Sequence, residues 1–152
     1  MRLVVQRVTR AAVLVGAETV GEIGRGALVL AGIGREDTDS SVLAAADRLL
    51  GLRYFEDSEG RTNLDLAASG GSLLVVSQFT LLADVRRGRR PGFSGAADPS
   101  AAEPLVGQFV ARLRERGARV ETGRFGAEMQ VELVNDGPFT LVLDDEEQRR
   151  TR

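Results

Sequence analysis

Two uncharged apolar runs limit what this chain can become. Ala27-Leu28-Val29-Leu30-Ala31-Gly32-Ile33 and the run that opens Ser72-Leu73-Leu74-Val75-Val76 both lie beside glycines. Neither alternates polar with apolar residues, so each reads as a strand covered on both faces. The second run continues through Ser77-Gln78-Phe79-Thr80-Leu81 and is expected as a central strand whose last residues emerge at a sheet edge or rim. Other β-rich stretches surround them. Leu3 to Val8 and Ala12 to Val15 read as two runs joined by a short polar link, and Thr19 to Ile23 as a partner strand reached through a turn at Gly16. Met129 to Leu133 alternates cleanly, Val120 leads into a further strand, and Phe139 to Leu143 completes the set.

Two helices are expected to pack on this sheet. The first is capped by Asp39 or Ser40, with Val42, Leu43, Ala46, Leu49 and Leu50 as its apolar face. The second starts near Asp98 to Ser100 and ends at Gly117. Ser100-Ala101-Ala102-Glu103 matches a capping box, and Pro104 favours the later start because proline suits only a first turn. Leu105, Val106, Phe109, Val110 and Leu113 form its stripe. Arg53 to Gly70 reads as polar and turn-rich, with a turn at Asp57 to Gly60. The 152 residues thus predict one α+β domain, residues 1–144, with a mostly antiparallel or mixed, barrel-like sheet and a charged tail, 145–152, that frays.

Absences narrow the chemistry. The chain has no His, no Cys and no Lys, so all 20 basic residues are Arg. Ser–His and Cys–His catalysis, Schiff bases, and zinc sites built on imidazole or thiolate are excluded. What remains is hydroxyls, carboxylates, amides, backbone groups, Arg and the substrate itself. No cofactor and no metal is expected. No run reaches the roughly 18 to 20 apolar residues of a membrane span, and the early Arg2 and Arg7 do not suit a signal peptide. A cytoplasmic protein without a membrane partner is the expectation. With a net charge of −2, any nucleic-acid contact must come from a local patch.

Several segments can carry function. Ser77-Gln78-Phe79-Thr80 reads either as a polar strand end or as a rim site that holds an ester and stabilises its oxyanion. Asn135-Asp136-Gly137-Pro138 reads either as a hairpin turn or as a rigid steric gauge, since a Gly-Pro bond can be cis. Arg86, Arg87, Arg89 and Arg90, with Phe93 close behind, form either a solvated loop or a phosphate-contacting patch with a ring to stack on a base. The carboxylates Asp57 and Glu59, and Asp144 to Glu147, read as solvated. Gly24-Arg25-Gly26 and Gly32-Ile33-Gly34 lack the context of a nucleotide fingerprint.

Taken in order, Gln6-Arg7-Val8, Asn63-Leu64, Gly70-Gly71-Ser72, Ser77 to Leu81, Arg90-Pro91 with Phe93-Ser94, Thr122-Gly123-Arg124-Phe125 and Asn135 to Pro138 resemble the D-aminoacyl-tRNA deacylase family from Met1 to about Leu143. The resemblance implies a homodimer with active sites at its interface. Each site would hydrolyse the ester of a D-aminoacyl-tRNA, or of glycine mischarged on tRNA, in translation quality control. Ser77, Gln78, Phe79 and Thr80 would line the pocket for the terminal adenosine and aminoacyl group. A cis Gly137-Pro138 would reach into the partner's pocket and exclude L side chains. Arg7 would fix that loop, and Phe125 and Met129 would shape the pocket. Phe139 departs from the family pattern, which has a smaller β-branched residue there. Thr80 has been discussed as a nucleophile in the family, but no base stands out to activate it here. The competing reading is a non-catalytic tRNA-binding dimer module. DNA is not an expected partner.

Overall fold

Strand β1 (Arg2–Val15) is the spine of the molecule, seen in a computed structural model that describes residues 1–144. The charged tail 145–152 lies outside the described residues. Along one edge of β1 run β2 (Glu18–Ile23) and β3 (Gly26–Gly32), both antiparallel to it: Ala11 faces Ile23, and Val8 faces Gly26. Along the other edge runs β8 (Gln130–Asp144), antiparallel from Leu14–Gln130 to Arg2–Asp144. β6 (Ser72–Ser77) lies parallel to β3, and β7 (Val120–Thr122) parallel to β6. The sheet curls until β7 meets β2. A Cβ on Gly21 would stand 2.3 Å from the Thr122 carbonyl oxygen, so the seam of this nearly closed barrel needs glycine there.

Helices α1 (Asp39–Gly51) and α3 (Pro99–Glu115) cover one face; a single helical turn, α2 (Leu66–Ser69), precedes β6. Alternate residues of β6 serve two cores. Leu73 and Val75 join Leu49, Phe55, Phe109 and Leu113 beneath the helices. Leu74 and Val76 join Val8, Val13, Ile23 and Leu28 inside the barrel. Both faces of the strand are therefore dry, as its uninterrupted apolar character requires.

The structure corrects several local expectations. β1 does not break, because the polar Thr9 and Arg10 are exposed while the ladder continues through Val8–Asn135 and Arg10–Val134. Thr38, not Asp39 or Ser40, caps α1: its side chain accepts from the Ser41 amide, and Ser41 Oγ accepts from the Thr38 amide. Leu43 is 37% exposed, and Ala45 lies on the buried face instead. The segment after α1 is ordered into β4 (Phe55–Glu56), β5 (Thr62–Leu64) and α2. The central strand ends at Ser77, earlier than expected. α3 starts at Pro99 with Asp98 as N-cap, so the supposed capping box falls inside the helix and Pro104 is internal. Pro104 and Ser100 are both exposed, so water can reach the carbonyl that the missing N–H leaves unbonded.

Asn135 to Pro138 is no hairpin turn. Its flanks pair with the same strand: Asn135 faces Val8 and Thr140 faces Gln6. Residues 136–139 form a bulge within β8, opposite Arg7. The Gly137-Pro138 bond is cis.

Candidate active site

The last sheet bond at the end of β6 runs from the Gln78 amide to the Ala31 carbonyl, at 2.8 Å. The chain then leaves the strand and Phe79–Leu82 makes one 3-10 turn. That turn packs onto Gly32, where a Cβ would lie 2.5 Å from Leu82 Cδ2 and 3.0 Å from the Gln78 carbonyl oxygen. Gln78 Nε2 donates to Thr80 Oγ1 at 2.5 Å. Phe79 is 56% exposed and meets Phe93 edge to face, with ring centroids 5.1 Å apart. Two partly exposed aromatic rings thus meet at the turn that carries Thr80.

Ser77 lines a cavity of about 140 Å³ with Thr122, Gly123 and Phe125 from the end of β7, and Glu103 and Val106 from α3. Met129 packs on the other side, in the barrel interior: a Cβ on Gly123 would lie 2.7 Å from its Sδ and 3.7 Å from Val13 and Val76. The fold therefore brings Ser77 and Phe125 to one cavity, while Gln78 to Thr80 turn away from the strand end and Met129 lies in the barrel interior. Glu103 is a residue that sequence reasoning missed, having assigned it to capping.

Gly137-Pro138 and Arg7 stand elsewhere. Arg7 pairs with Ala27, which pairs with Leu73, whereas Ser77 pairs with Ala31, which pairs with Leu3. The bulge is thus four residues from the Ser77 level, roughly 13 Å along the strand direction. Arg7 is only 5% exposed. Its Nε donates to the Asp136 carbonyl and its Nη1 to the Tyr54 carbonyl, each at 2.9 Å. Asn135 braces the bulge from within: Nδ2 donates to the Arg7 and Phe139 carbonyls, and Oδ1 accepts from the Phe139 amide. Asn135 was visible in the motif, but nothing in the sequence pointed to Tyr54.

The arginine loop is divided. Asp84 takes Arg86 in a two-point hydrogen bond, at 2.9 and 2.8 Å, and this guanidinium holds the Asp84 carboxyl well below the usual carboxylate range. Arg87, Arg89 and Arg90 are exposed without a hydrogen bond or ion pair among the described residues. A cleft of about 730 Å³ lies beyond Leu82 rather than at Ser77 to Thr80. Of its three arginines, Arg2 is committed to Asp144 and Arg86 to Asp84, while Arg35 donates to the Ala96 carbonyl at 3.4 Å. Asp57 is structural, its Oδ1 accepting from the Glu59 and Arg61 amides to shape their turn, whereas the Glu59 carboxylate is exposed and pairs with Arg61. Among the described residues, no group of three His, Cys, Asp or Glu could hold a metal ion, and no helix is long and apolar enough to cross a membrane.

Comparison with known proteins finds relatives along nearly the whole chain. The profile of the D-Tyr-tRNA(Tyr) deacylase family matches residues 4–144. The D-aminoacyl-tRNA deacylase of Symbiobacterium thermophilum is 57% identical over 146 residues, covering 96% of this chain and 97% of its own. That of Anaeromyxobacter dehalogenans is 57% identical over 144 residues, covering 95% and 97%. Among solved structures, the c-Myc DNA unwinding element binding protein superposes with a TM-score of 0.90 at 42% identity, over 95% of this chain and 99% of its own. A probable eukaryotic D-amino acid tRNA deacylase superposes with a TM-score of 0.78 over 93% and 97%; at 22% identity it speaks for the fold alone.

Proposed function

From the premise that this chain belongs to the D-Tyr-tRNA(Tyr) deacylase family and is a D-aminoacyl-tRNA deacylase, we propose that Ser77 to Thr80 hold the ester while Gly137-Pro138 of a second protomer judges its handedness. The strand register carries this reading. Within one chain the bulge stands about four residues, roughly 13 Å, from the level of Ser77, too far to touch an ester held there. A gauge at 137–138 therefore has to act on the pocket of another copy. The exposed apolar residues Val134 and Val142 on β8 support a homodimer built on this side of the sheet.

The chemistry follows from what the site contains. Thr80 Oγ1 already accepts from Gln78, which leaves its own proton free to donate to the ester. No imidazole, thiol or lysine amine is present to take that proton, and the N-terminal amine is paired with Asp37, so Thr80 positions rather than attacks. Water adds to the carbonyl carbon, backbone N–H groups at the 3-10 turn stabilise the oxyanion, and the C–O bond to the ribose breaks. The amino acid leaves as its carboxylate and the ribose regains a hydroxyl, with its neighbouring 2′-hydroxyl assisting the proton transfer. An aminoacyl ester is activated enough for placement to supply most of the acceleration. The exposed rings of Phe79 and Phe93 offer a face for the terminal adenine, and Arg87, Arg89 and Arg90 offer charge to tRNA phosphates. Glycine esters, lacking a side chain to clash, are accepted with the D esters. Such a substrate places the protein in the cytoplasm.

Deacylation of matched D- and L-aminoacyl-tRNA by the purified protein tests the whole. Turnover of D with rejection of L is expected. Binding of tRNA without turnover of either ester would overturn the reading in favour of a non-catalytic binding module.

A further inference from the structure

We infer that Phe139 and Tyr54 are specificity-determining positioning residues, whose stacked rings hold the Arg7 guanidinium that anchors the Gly137-Pro138 bulge. The inference rests on the gauge reading above and extends it to two side chains with no assigned role.

A buried guanidinium has edges and faces to satisfy. The edges of Arg7 are used by the Asp136 and Tyr54 carbonyls, with Glu56 Oε1 at 3.5 Å and Asp136 Oδ2 at 3.4 Å adding charge. One face lies over the Phe139 ring, 4.5 Å from its centroid, a cation–π contact strengthened by burial. Phe139 in turn stacks on Tyr54 at 6.5 Å and 22°, and Tyr54 rests on Phe55 at 4.5 Å. Tyr54 and Phe55 are 2% and 0% exposed. The result is a column running from the core to the guanidinium.

The bulge cannot move independently of that column. Asn135 clasps both backbone polar groups of Phe139. A Cβ on Gly137 would lie 2.0 Å from the Phe139 nitrogen and 3.0 Å from its Cα and Cβ, so the backbone of 139 sits hard against the gauge residue. The height of the 137–138 carbonyls is therefore set by the side chain at 139, which makes its identity a matter of selectivity as well as of packing. The Tyr54 hydroxyl is buried without a hydrogen-bond partner among the described residues, so the ring is the working part of that residue.

The test compares kcat/KM for D- and L-aminoacyl-tRNA carrying the same amino acid. Phe139→Leu keeps apolar bulk and removes the ring; the L to D ratio is expected to rise about tenfold. Phe139→Tyr and Tyr54→Phe keep the rings and should hold the wild-type ratio; a relaxed ratio in either would overturn the assignment. Gly137→Ala disturbs the gauge directly and should also relax the ratio. A folded Phe139→Leu protein with the wild-type ratio, beside a relaxed Gly137→Ala, sinks the inference and leaves the gauge standing. An unchanged ratio in Gly137→Ala sinks the gauge reading itself.

Discussion

Thr80 lends itself to a sharp test because its hydroxyl can be removed without changing its shape. Thr80→Val should lower kcat for the D ester by about 10²-fold, the usual effect of losing one donor aimed at developing charge. KM should change less, since stacking and phosphate contacts remain. Single-turnover hydrolysis measures this directly, and a wild-type kcat would remove Thr80 from the site. Polar groups that end a long apolar run marked Ser77 to Thr80 as a candidate, but the run alone also fits a plain strand end, and the proposed role comes from the family resemblance. Tyr54 was not readable. It sits beside Phe55 in what reads as an ordinary segment after a helix, and its partners Arg7 and Phe139 are brought to it only by the folding of β1 against β8.

Among the elements, the barrel seam and the helix pair make separable demands. At the seam, Gly21→Ala forces a Cβ against the Thr122 carbonyl, and overpacking of this kind costs about 1–3 kcal/mol. Because β7 leads directly into Gly123 and Phe125, activity should fall with stability; denaturant unfolding and deacylation on the same samples check both. Between the helices, Arg112 donates to both Asp47 oxygens at 2.9 Å, and Arg116 to Oδ1 at 3.1 Å. The hydrogen bond from Arg112 is the main cause that lowers the Asp47 carboxyl below its ordinary value. Such a depressed group stabilises the fold above the unfolded carboxylate value near 3.9 and ceases to do so as pH falls through its folded value. Asp47→Asn should therefore lower Tm at pH 7, with the difference from wild type shrinking below about pH 4. Strands were legible where an apolar run was unbroken, as in β3 and β6, and helices where periodicity was strong, as in α3. The continuity of β1 and the bulge in β8 were not, because a bulge and a hairpin use the same turn residues and only the pairing partner tells them apart.

For the whole molecule, the proposed exchange of loops between protomers has a genetic test. Thr80→Val protomers keep an intact gauge, and Gly137→Ala protomers keep an intact ester site. In a mixed dimer the working pocket of the second faces the working gauge of the first. Adding excess Thr80→Val protein to Gly137→Ala protein should therefore suppress hydrolysis of the L ester while hydrolysis of the D ester persists. L hydrolysis that does not respond to the addition would place the gauge in its own chain. Sedimentation of the mixture confirms that the subunits exchange.

The pairing of β1 with β8 also bears on the order in which this molecule is assembled. Arg2 and Asp144 hydrogen-bond across 142 positions of sequence, and every rung of that ladder is similarly distant. Contacts of such separation make folding slow. During synthesis one edge of β1 stays bare until residues 130–144 arrive, an open template for aggregation in the meantime. The 3-10 turn at Phe79–Leu82 rests on β3 and β6, with its Leu81 carbonyl accepting from Arg2 of β1, whereas the bulge opposite Arg7 exists only once β8 has zippered onto β1. On the proposed reading, the strands that carry the ester pocket are synthesised before the bulge, and a pocket becomes selective only once a partner's final strand is in place.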